Sequence, residues 1–369
     1  MRKPYITWRN RTNPTKTVYL YCYISPNLGD QAISDAIEEL IAKRVRNVTF
    51  KKVGWMELNP QAVNEINRTG DLFLLAGGGF YRCTEDNEYD LTVLPSCIQY
   101  LKAIKIPMSA YALGFNRNFM QGGESLETKL SESAQDLLRN FNRLLHFSSV
   151  RDLKTVQLFN RIGIDKACFC PDPAMFLNAE TSNLTVDHHK LNIGLNIANH
   201  GGSTAWMLNR VVAVVTAAVK KIEKDHSIDC YYFKHEPGED AVINMLRQEG
   251  MTFTVVEGSP RELLAAYKKM DIAICQMMHA GILAFNASLP TVSIAYDIKH
   301  LAFADLIDKR ELCLRGDLLS ADDLIDKVAY MIEHRKRIRR ELTKRKRQLW
   351  RVEKECLRKI ILPLTYPLR

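Results

Sequence analysis

The sequence lacks any apolar run long enough to cross a bilayer, because the run 18–25 is far shorter than the roughly 20 residues of a transmembrane helix. The basic N-terminus is not followed by the apolar stretch of a secretory signal peptide. Glycine and proline are sparse, with 18 and 13 in 369 residues, which excludes a collagen-like or low-complexity chain. We therefore expect a cytoplasmic protein without a membrane-spanning anchor.

The cysteines lack the spacing of a disulfide framework or a zinc finger. There are nine, an odd number, scattered mostly through apolar segments. Cys168 and Cys170 form the only close pair, and no second pair stands at zinc-finger spacing. This pattern predicts reduced thiols in the core, a reducing compartment and no metal site.

The length of the chain exceeds what one hydrophobic core usually organises, and 46% hydrophobic with 25% charged residues is the composition of a folded enzyme. Apolar runs alternate with amphipathic stretches, which favours β-α-β units, and the polar segment 178–190 interrupts the alternation. The sequence therefore predicts an α/β fold with two Rossmann-like, doubly wound domains that face a cleft. The predicted parts are a basic N-terminal extension at 1–16, domains at 17–178 and 190–321, and a basic C-terminal helical region at 322–369.

The charge of the chain is concentrated at its ends. The net charge is +9, but residues 335–359 alone carry 13 basic and three acidic side chains, and the body without its basic termini sums to −7. A nucleic-acid groove through the body would place the basic excess there, so nucleic acid is an unlikely partner. A terminal basic stretch favours an anionic membrane surface, with Trp350 and 360–364 as candidates to enter the interface. A solvated helix face is the alternative.

Three segments of the first half place candidate ligand-binding groups after predicted strands, where doubly wound sheets bind ligands. Asn27, Gly29 and Asp30 follow the first strand at the start of a helix, where backbone N–H groups can meet an anion; Asp30 as a plain helix cap is the alternative. The triplet of Gly77, Gly78 and Gly79 follows the strand 71–76, and it permits close backbone approach or a simple tight turn.

Arg151 follows the strand 145–150, and its guanidinium suits a phosphate or carboxylate. The alternative is an ion pair with Asp152 that caps the next helix. Asp172 lies between two prolines in a rigid turn, which we interpret as structural. The alternative is that its carboxylate reaches the cleft.

In the second half, the loop 233–240 brings together Lys234, His235 and several carboxylates, either as a binding group or as solvated charge. His279 follows the strand 272–275 at the start of a helix, where a histidine can meet an anion and act as acid or base, or simply cap the helix. Lys299 follows the last strong strand and would hold a phosphate or cover the surface.

Taken in order, these motifs resemble the polysaccharide pyruvyl transferase family over residues 17–310. The motifs are those at 27–30, 77–79, 149–152, 171–173 and 279, followed by 289–290 and 296–299. The resemblance implies a GT-B-like fold. It also implies transfer of the enolpyruvyl carbon skeleton of phosphoenolpyruvate onto two hydroxyls of a saccharide, giving a cyclic ketal and phosphate.

The resemblance implies roles for individual residues. Arg151 would bind the phosphate or carboxylate of phosphoenolpyruvate, His279 would be the general acid/base, and Asp30 would orient or deprotonate an acceptor hydroxyl. Asn27 and Gly29 would lie on the cleft floor. No cofactor or metal is implied, and a lipid-linked acceptor would place the enzyme at the inner face of the cell membrane as part of exopolysaccharide biosynthesis.

One position departs from the family pattern, because Met277 stands where an arginine is typical. Lys234, His235 or Lys299 would have to replace that anion partner, or the donor differs. Two other functions stay open: a GT-B glycosyltransferase that uses a nucleotide sugar, and a non-catalytic protein that binds glycan or nucleic acid through its basic tail.

Overall fold

The computed structural model of the chain describes residues 15–83, 89–117, 119 and 130–365. Most of the predicted extension 1–16 and the last residues, 366–369, lie outside the described residues. Strands and helices alternate along the described part, and most of the strands form two parallel sheets of six strands each. The predicted α/β class with two Rossmann-like sheets is confirmed.

The first sheet is built from the first half of the chain. Its central strands are nearly continuous apolar segments, as expected for strands covered by helices on both faces. The strands of this half are β1 (Lys16–Cys22), β2 (Val48–Gly54), β3 (Leu72–Ala76), β4 (Tyr81–Arg82), β5 (Met108–Leu113), β6 (Phe115–Asn116), β7 (Phe147–Val150) and β8 (Cys168–Phe169). The order in the sheet is β2-β1-β3-β5-β7-β8, and β4 pairs separately with β6. The helices are α1 (Leu28–Ala42), α2 (Pro60–Thr69), α3 (Val93–Leu101), α4 (Glu132–Leu144) and α5 (Leu153–Arg161).

The second sheet repeats this construction. Its strands are β9 (Leu191–Asn196), β10 (Ile228–Phe233), β11 (Thr254–Val256), β12 (Ile272–Cys275), β13 (Thr291–Ala295) and β14 (Cys313–Arg315). Their order is β11-β10-β9-β12-β13-β14, the order of a Rossmann sheet. The helices between them are α6 (Gly202–Asp225), α7 (Asp240–Gln248), α8 (Pro260–Tyr267), α9 (Met278–Asn286) and α10 (Ile298–Leu306).

Each sheet has one place where the direction of the strand order reverses, and ligands bind there in open α/β sheets. It lies between β1 and β3 in the first sheet and between β9 and β12 in the second. The segments at the two places meet, since Gly29, which follows β1, is packed on the imidazole of His279, which follows β12. The topology therefore puts a site between the two sheets.

Five elements are not predicted by the sequence analysis: β2, α2, β14 and the two-residue strands β4 and β6. β2 is an edge strand with Lys51 and Lys52 exposed, so it has no continuous apolar run, and β14 is only three residues long. α1 begins at Leu28, before the predicted residue 31, because the Asn27 side chain accepts a hydrogen bond from the Gly29 N–H at 2.8 Å and caps the helix. The interpretation of Asp30 as the helix cap is therefore wrong.

The predicted C-terminal helical region is α11 (Ala321–Ile360), a 40-residue helix that extends about 60 Å, followed by the short α12 (Leu362–Thr365). α11 packs along the second sheet and then crosses to the first. Near its end, the buried Glu353 carboxylate accepts hydrogen bonds from the Tyr111 hydroxyl on β5 and, at 3.3 Å, from the Cys170 thiol. The helix is therefore part of the cores of both halves.

This packing contradicts the expectation that Trp350 and residues 360–364 enter a membrane interface. The Trp350 ring lies 5.0 Å from the ring of Phe176, and the Arg44 guanidinium lies 5.6 Å from its centre. Ile360, Ile361 and Leu364 are buried, and of the two remaining residues only Leu362 is an exposed large apolar side chain. Insertion of this segment would require it to leave the protein core.

Glu353 should make the stability of the protein decrease as the pH rises. Burial raises the pKa of Glu353 to about 7 from its ordinary 4.5. Between these two pH values the carboxyl group is ionised in the unfolded chain but still protonated in the native protein, so the free energy of unfolding decreases as the pH rises. We expect Glu353→Gln to remove up to about 3 kcal/mol of the decrease in unfolding free energy between pH 5 and pH 8. Urea unfolding of the wild type and the variant at pH 5 and at pH 8 measures this decrease.

The control is Glu333→Gln, which changes an exposed carboxylate on the same helix and should keep the wild-type pH dependence. An unchanged pH dependence in Glu353→Gln would contradict the assignment of a protonated native carboxyl.

Candidate active site

The site is organised by the N-terminus of α1, which touches the second sheet through three consecutive residues. The Asn27 side chain donates from Nδ2 to the Glu236 carboxylate at 3.1 Å, while its Oδ1 caps α1. The Leu28 N–H donates to the carbonyl of His235. Gly29 is packed so closely on the imidazole of His279 that a methyl group at this position would overlap the ring. The absence of a side chain at Gly29 therefore makes room for His279.

His279 is the second residue of α9 and lies four residues after the end of β12. Met277 is the N-cap residue of that helix, so His279 is not a cap histidine. Its Nε2 atom is buried and has no hydrogen-bond partner among the described residues. Burial first, and then the charges of Arg151 and Lys299, hold the pKa of His279 well below its ordinary value. The ring is therefore neutral at physiological pH.

Arg151 is a buried cation at the end of β7. One of its terminal nitrogens donates to Asn116 Oδ1 at 3.1 Å, and the other lies 3.7 Å from Asp172 Oδ2 without a hydrogen bond. The guanidinium is packed on Gly114, where a methyl group would overlap it. The expected pair with Asp152 is not the one formed, because the Asp152 carboxylate caps α5 at the N–H of Thr155.

Asp172 acts as the ionic neighbour of Arg151 and also caps a short helical turn through the N–H of Ala174 at 3.0 Å. Burial raises the pKa of Asp172, and the Arg151 charge opposes that rise. The pair leaves a nitrogen of Arg151 unsatisfied in a buried place, and buried polar atoms are rarely left so. This unsatisfied donor is suited to an anionic ligand.

The glycine triplet shapes the floor beside Arg151. Gly77 and Gly78 have φ of 62° and 73°, which non-glycine residues rarely adopt, and Gly79 is packed on the amide of Asn116. Asn116 in turn holds Arg151. The triplet therefore positions the guanidinium indirectly as well as forming the turn after β3.

Asp30 lies in the first turn of α1 next to these groups. Its Oδ2 accepts a hydrogen bond from the Ser25 hydroxyl at 3.0 Å. Burial raises the pKa of Asp30 to about 6, with the Ser25 hydrogen bond and the Lys299 charge opposing the rise. A carboxyl with such a pKa can exchange a proton near neutral pH.

Lys299 completes the cluster from α10. Its ammonium lies 5.1 Å from the centre of the Tyr296 ring. Burial lowers the pKa of Lys299, and the charge of Asp297 opposes the decrease. The site thus contains two cationic side chains, Arg151 and Lys299, and burial raises the pKa of the carboxyl groups beside them, which are those of Asp30, Asp172 and Asp297.

Two of the predicted substrate-binding residues are not part of this cluster. The Lys234 ammonium is held by the exposed carboxylates of Asp240 and Glu257, at 2.7 and 2.9 Å. The His235 ring is fully buried against the Tyr267 hydroxyl at 3.0 Å, and burial lowers its pKa to about 3. Their loop contributes the His235 carbonyl and the Glu236 carboxylate instead.

Met277 does not supply an anion-binding group either. Its side chain is buried, and its backbone N–H donates to Asn196 Oδ1 at 3.0 Å. Of the three residues proposed to replace the arginine that is typical here, only Lys299 stands in the cluster with a free ammonium.

Sequence reasoning did not identify four residues that shape the site: Gly114, Asn116, His200 and Glu236. Gly114 and Asn116 follow β5 at a register shift next to Ala112, whose φ is 52°. Their place after a buried strand was the available signal. In the described part of the chain, no group of three or more histidine, cysteine or acidic side chains is placed to hold a metal ion, and no helix has the length and apolarity to span a bilayer.

The fold and the site together define a GT-B-like protein, and comparison with solved structures agrees. Staphylococcus aureus MnaA bound to UDP is 9% identical, with a TM-score of 0.57 over 89% of this chain and 90% of MnaA. A Listeria monocytogenes putative UDP-N-acetylglucosamine 2-epimerase is 9% identical, with a TM-score of 0.55 over 89% and 91%. A Staphylococcus aureus TarM mutant is 10% identical, with a TM-score of 0.52 over 82% of this chain but only 58% of TarM.

The polysaccharide pyruvyl transferase family model matches residues 27–298, about three quarters of the chain. The chain belongs to this family, as the order of its motifs predicts. No curated protein sequence matches it significantly. The matched range begins at the cap residue Asn27 and ends at Ile298, so it contains Asp30, Arg151 and His279 and stops one residue before Lys299.

We expect Gly29→Ala to destabilise the protein by about 1–3 kcal/mol, because the added methyl group overlaps the His279 imidazole and either the ring or α1 must move. Chemical unfolding at neutral pH measures the change. Gly281→Ala is the matched control: it lies in α9, where a methyl group would be 3.6 Å from Phe303, an ordinary contact. Equal stability of the two variants would show that Gly29 and His279 are not in close contact.

Proposed function

We propose that the protein transfers a pyruvyl group from phosphoenolpyruvate to a sugar of a cell-surface polysaccharide precursor and forms a cyclic ketal. The family supports a pyruvyl transferase that acts on polysaccharide. The observation that carries the donor assignment is the pair of cations, Arg151 and Lys299, gathered around His279 with few counter-charges. Phosphoenolpyruvate carries a phosphate and a carboxylate, and it offers one anionic group to each cation.

In this proposal Arg151 and Lys299 hold the donor. The Arg151 guanidinium presents an unsatisfied buried nitrogen. Lys299 supplies the second cation, in place of the arginine that is typical of the family at position 277. The N-terminus of α1 adds the positive end of its dipole at Gly29. A partner of negative charge would relieve the repulsion between the two cations.

His279 and Asp30 move protons in the proposed reaction. His279 is neutral while the site is empty, and the negative charge of the donor would raise its pKa so that it takes up a proton. It then delivers that proton to the methylene carbon of the donor, while the first acceptor hydroxyl attacks the neighbouring carbon and gives its proton to Asp30. When the carbon–oxygen bond to phosphate breaks, the second hydroxyl attacks the same carbon. The two acceptor hydroxyls lose two protons in total, and these balance the proton that the methylene carbon gains and the proton that leaves with phosphate.

A nucleotide-sugar glycosyltransferase is the competing function. The MnaA and TarM structures contain UDP, which belongs to those proteins, and identities near 10% relate them to this chain by fold only. The cluster at Arg151 does not distinguish the two donors by charge alone. The donor experiment below therefore includes both compounds.

We also propose that the protein is cytoplasmic and binds the inner face of the membrane, where it would meet a lipid-linked acceptor. Successive helix residues are 100° apart, so the basic side chains of α11 point in different directions. Arg339, Arg345 and Lys346 bond to carbonyl groups of the second half, at Met270, Leu306 and Asn286. Seven others define a basic stripe within about 80° of the helix surface and about 33 Å long. The stripe consists of Lys336, Arg340, Lys344, Arg347, Arg351, Lys354 and Arg358, all exposed.

This stripe is suited to a flat anionic surface. It is straight because a single helix carries it, and within the described chain only Arg358 of its members pairs with a carboxylate, that of Glu355. The apolar face of α11 is occupied by the protein core, so the membrane contact would be electrostatic, without insertion.

Isothermal titration of phosphoenolpyruvate tests the donor assignment. We expect binding to the wild type and at least tenfold weaker binding to Arg151→Ala and to Lys299→Ala, because each loses a charged contact of about 1.5–3 kcal/mol. Proton uptake by His279 should make the heat depend on the ionisation enthalpy of the buffer. Lys221→Ala, an exposed lysine on α6, is the control and should bind like the wild type.

A uridine nucleotide sugar is titrated alongside. Binding of that compound alone would reject pyruvyl transfer in favour of glycosyl transfer. If neither compound binds the free protein, phosphoenolpyruvate is rejected as the first substrate.

Flotation with lipid vesicles tests the basic stripe. We expect the wild type to bind vesicles with phosphatidylglycerol and not vesicles of phosphatidylcholine alone. Arg340→Gln with Arg347→Gln should weaken binding at least tenfold, since each basic residue near such a surface contributes about 1 kcal/mol. Lys221→Gln with Lys224→Gln on α6 is the matched charge control. Preferential binding of a double-stranded oligonucleotide, or no difference between the two double variants, would reject the membrane role.

A further inference from the structure

His200 and Glu236 form a histidine–carboxylate pair at the site that none of the preceding assignments uses. His200 lies four residues after the end of β9, beside the place where the strand order of the second sheet reverses. Its Nδ1 is 2.9 Å from Glu236 Oε1. Its backbone N–H donates to the Thr204 hydroxyl at 2.8 Å, which fixes the loop in front of α6. His200 is therefore held in place both through its imidazole and through its backbone N–H.

Contacts along α1 place this pair next to the catalytic groups. Asn27 bonds to Glu236, and two residues later Gly29 is packed on His279. On the other side, the His200 ring lies 5.8 Å from the Tyr296 ring, which in turn lies under the ammonium of Lys299. His200 is thus part of the same cleft wall as His279 and Lys299.

The carboxylate selects the form of the imidazole. Oε1 of Glu236 is buried and accepts no hydrogen bond from the described residues, although His200 Nδ1 lies 2.9 Å from it, whereas Oε2 accepts from Asn27. A proton on Nδ1 would give this buried oxygen a donor, and Nε2 would then keep its lone pair. The described contacts of the ring use Nδ1 and leave Nε2 for a substrate. The His200 side chain is 24% exposed, so a substrate can reach it.

Ketal formation needs a second proton acceptor. Two hydroxyls must each lose a proton while they bond to the same carbon. In the proposed mechanism Asp30 receives the first of these protons, and His279 starts each cycle already protonated, because the charge of the bound donor raises its pKa. The group that receives the second proton has to be oriented and open to the cleft, and His200 combines a close carboxylate with a partly exposed ring.

We infer that His200, oriented by Glu236, is the general base for the second acceptor hydroxyl. The inference rests on the proposed pyruvyl transfer. The hydroxyl gives its proton to Nε2 as its oxygen bonds to the former enol carbon, and the carbon–oxygen bond to phosphate breaks. Glu236 stabilises the imidazolium that forms, and solvent later takes the proton. His279 regains its proton from solvent, and Asp30 gives its proton to the departing phosphate, so the cycle closes.

The test compares phosphoenolpyruvate binding with turnover. Binding is measured by calorimetry, and turnover as phosphate release with a panel of methyl hexopyranosides as acceptors. We expect His200→Gln to lower kcat at least 100-fold with little change in donor affinity, as expected for loss of a general base. Glu236→Gln should lower kcat at least tenfold, and the double variant should be no slower than His200→Gln, because the pair acts as a unit.

Two further variants separate a chemical role from a structural one. Turnover of His200→Gly should recover when imidazole is added, which a misfolded or rearranged loop would not show. His188→Gln changes an exposed histidine outside the cleft and should keep full turnover.

The outcomes distinguish a failure of the proposed function from a failure of the role assigned to His200. If the wild type does not bind phosphoenolpyruvate, the proposed function fails and this inference fails with it. If the donor binds but His200→Gln turns over at the wild-type rate, only the assignment of His200 is overturned. If the donor binds and no member of the panel accepts a pyruvyl group, the base has no hydroxyl substrate and the assignment is withdrawn.

Discussion

The close approach of the α1 N-terminus to the loops of the second sheet is the contact on which the site depends. Three consecutive residues make it with three different groups: the amide of Asn27, the backbone N–H of Leu28 and the bare Cα of Gly29. Their partners in the second half are Glu236, the His235 carbonyl and the His279 imidazole, respectively. The relative position of the two sheets at this point therefore decides whether Arg151, from the first half, and His279, from the second, share one cleft.

The electrostatic character of the cleft follows from that closure. Arg151 and Lys299 come from different halves; Arg151 is buried, and burial lowers the pKa of the partly exposed Lys299. Burying a cation costs free energy unless a partner offsets it. Asp172 balances Arg151 only in part, since the two groups do not form a hydrogen bond. The site is thus already arranged for an anion.

The fold was predictable from the sequence because buried parallel strands read as apolar runs, and the strands of the two six-stranded sheets that were missed, β2 and β14, lie at sheet edges. Arg151 was identifiable because it follows β7 directly, and His279 and Lys299 because each lies at the start of a helix, four residues after a strand. Chain position does not reveal which way a loop side chain turns, so Lys234 was included although it pairs with Asp240. His200 also lies four residues after a strand, but it was missed because it stands in the loop before α6 and not at the start of a helix.

The path of α11 has a consequence for the order in which the chain becomes structured. The first sheet contains residues 16–169, yet Tyr111 and Cys170 find their hydrogen-bond acceptor in Glu353, more than 180 residues further on. During synthesis, the ribosome must add nearly the whole chain before that acceptor exists. These two contacts of the N-terminal half therefore form only after translation has passed residue 353.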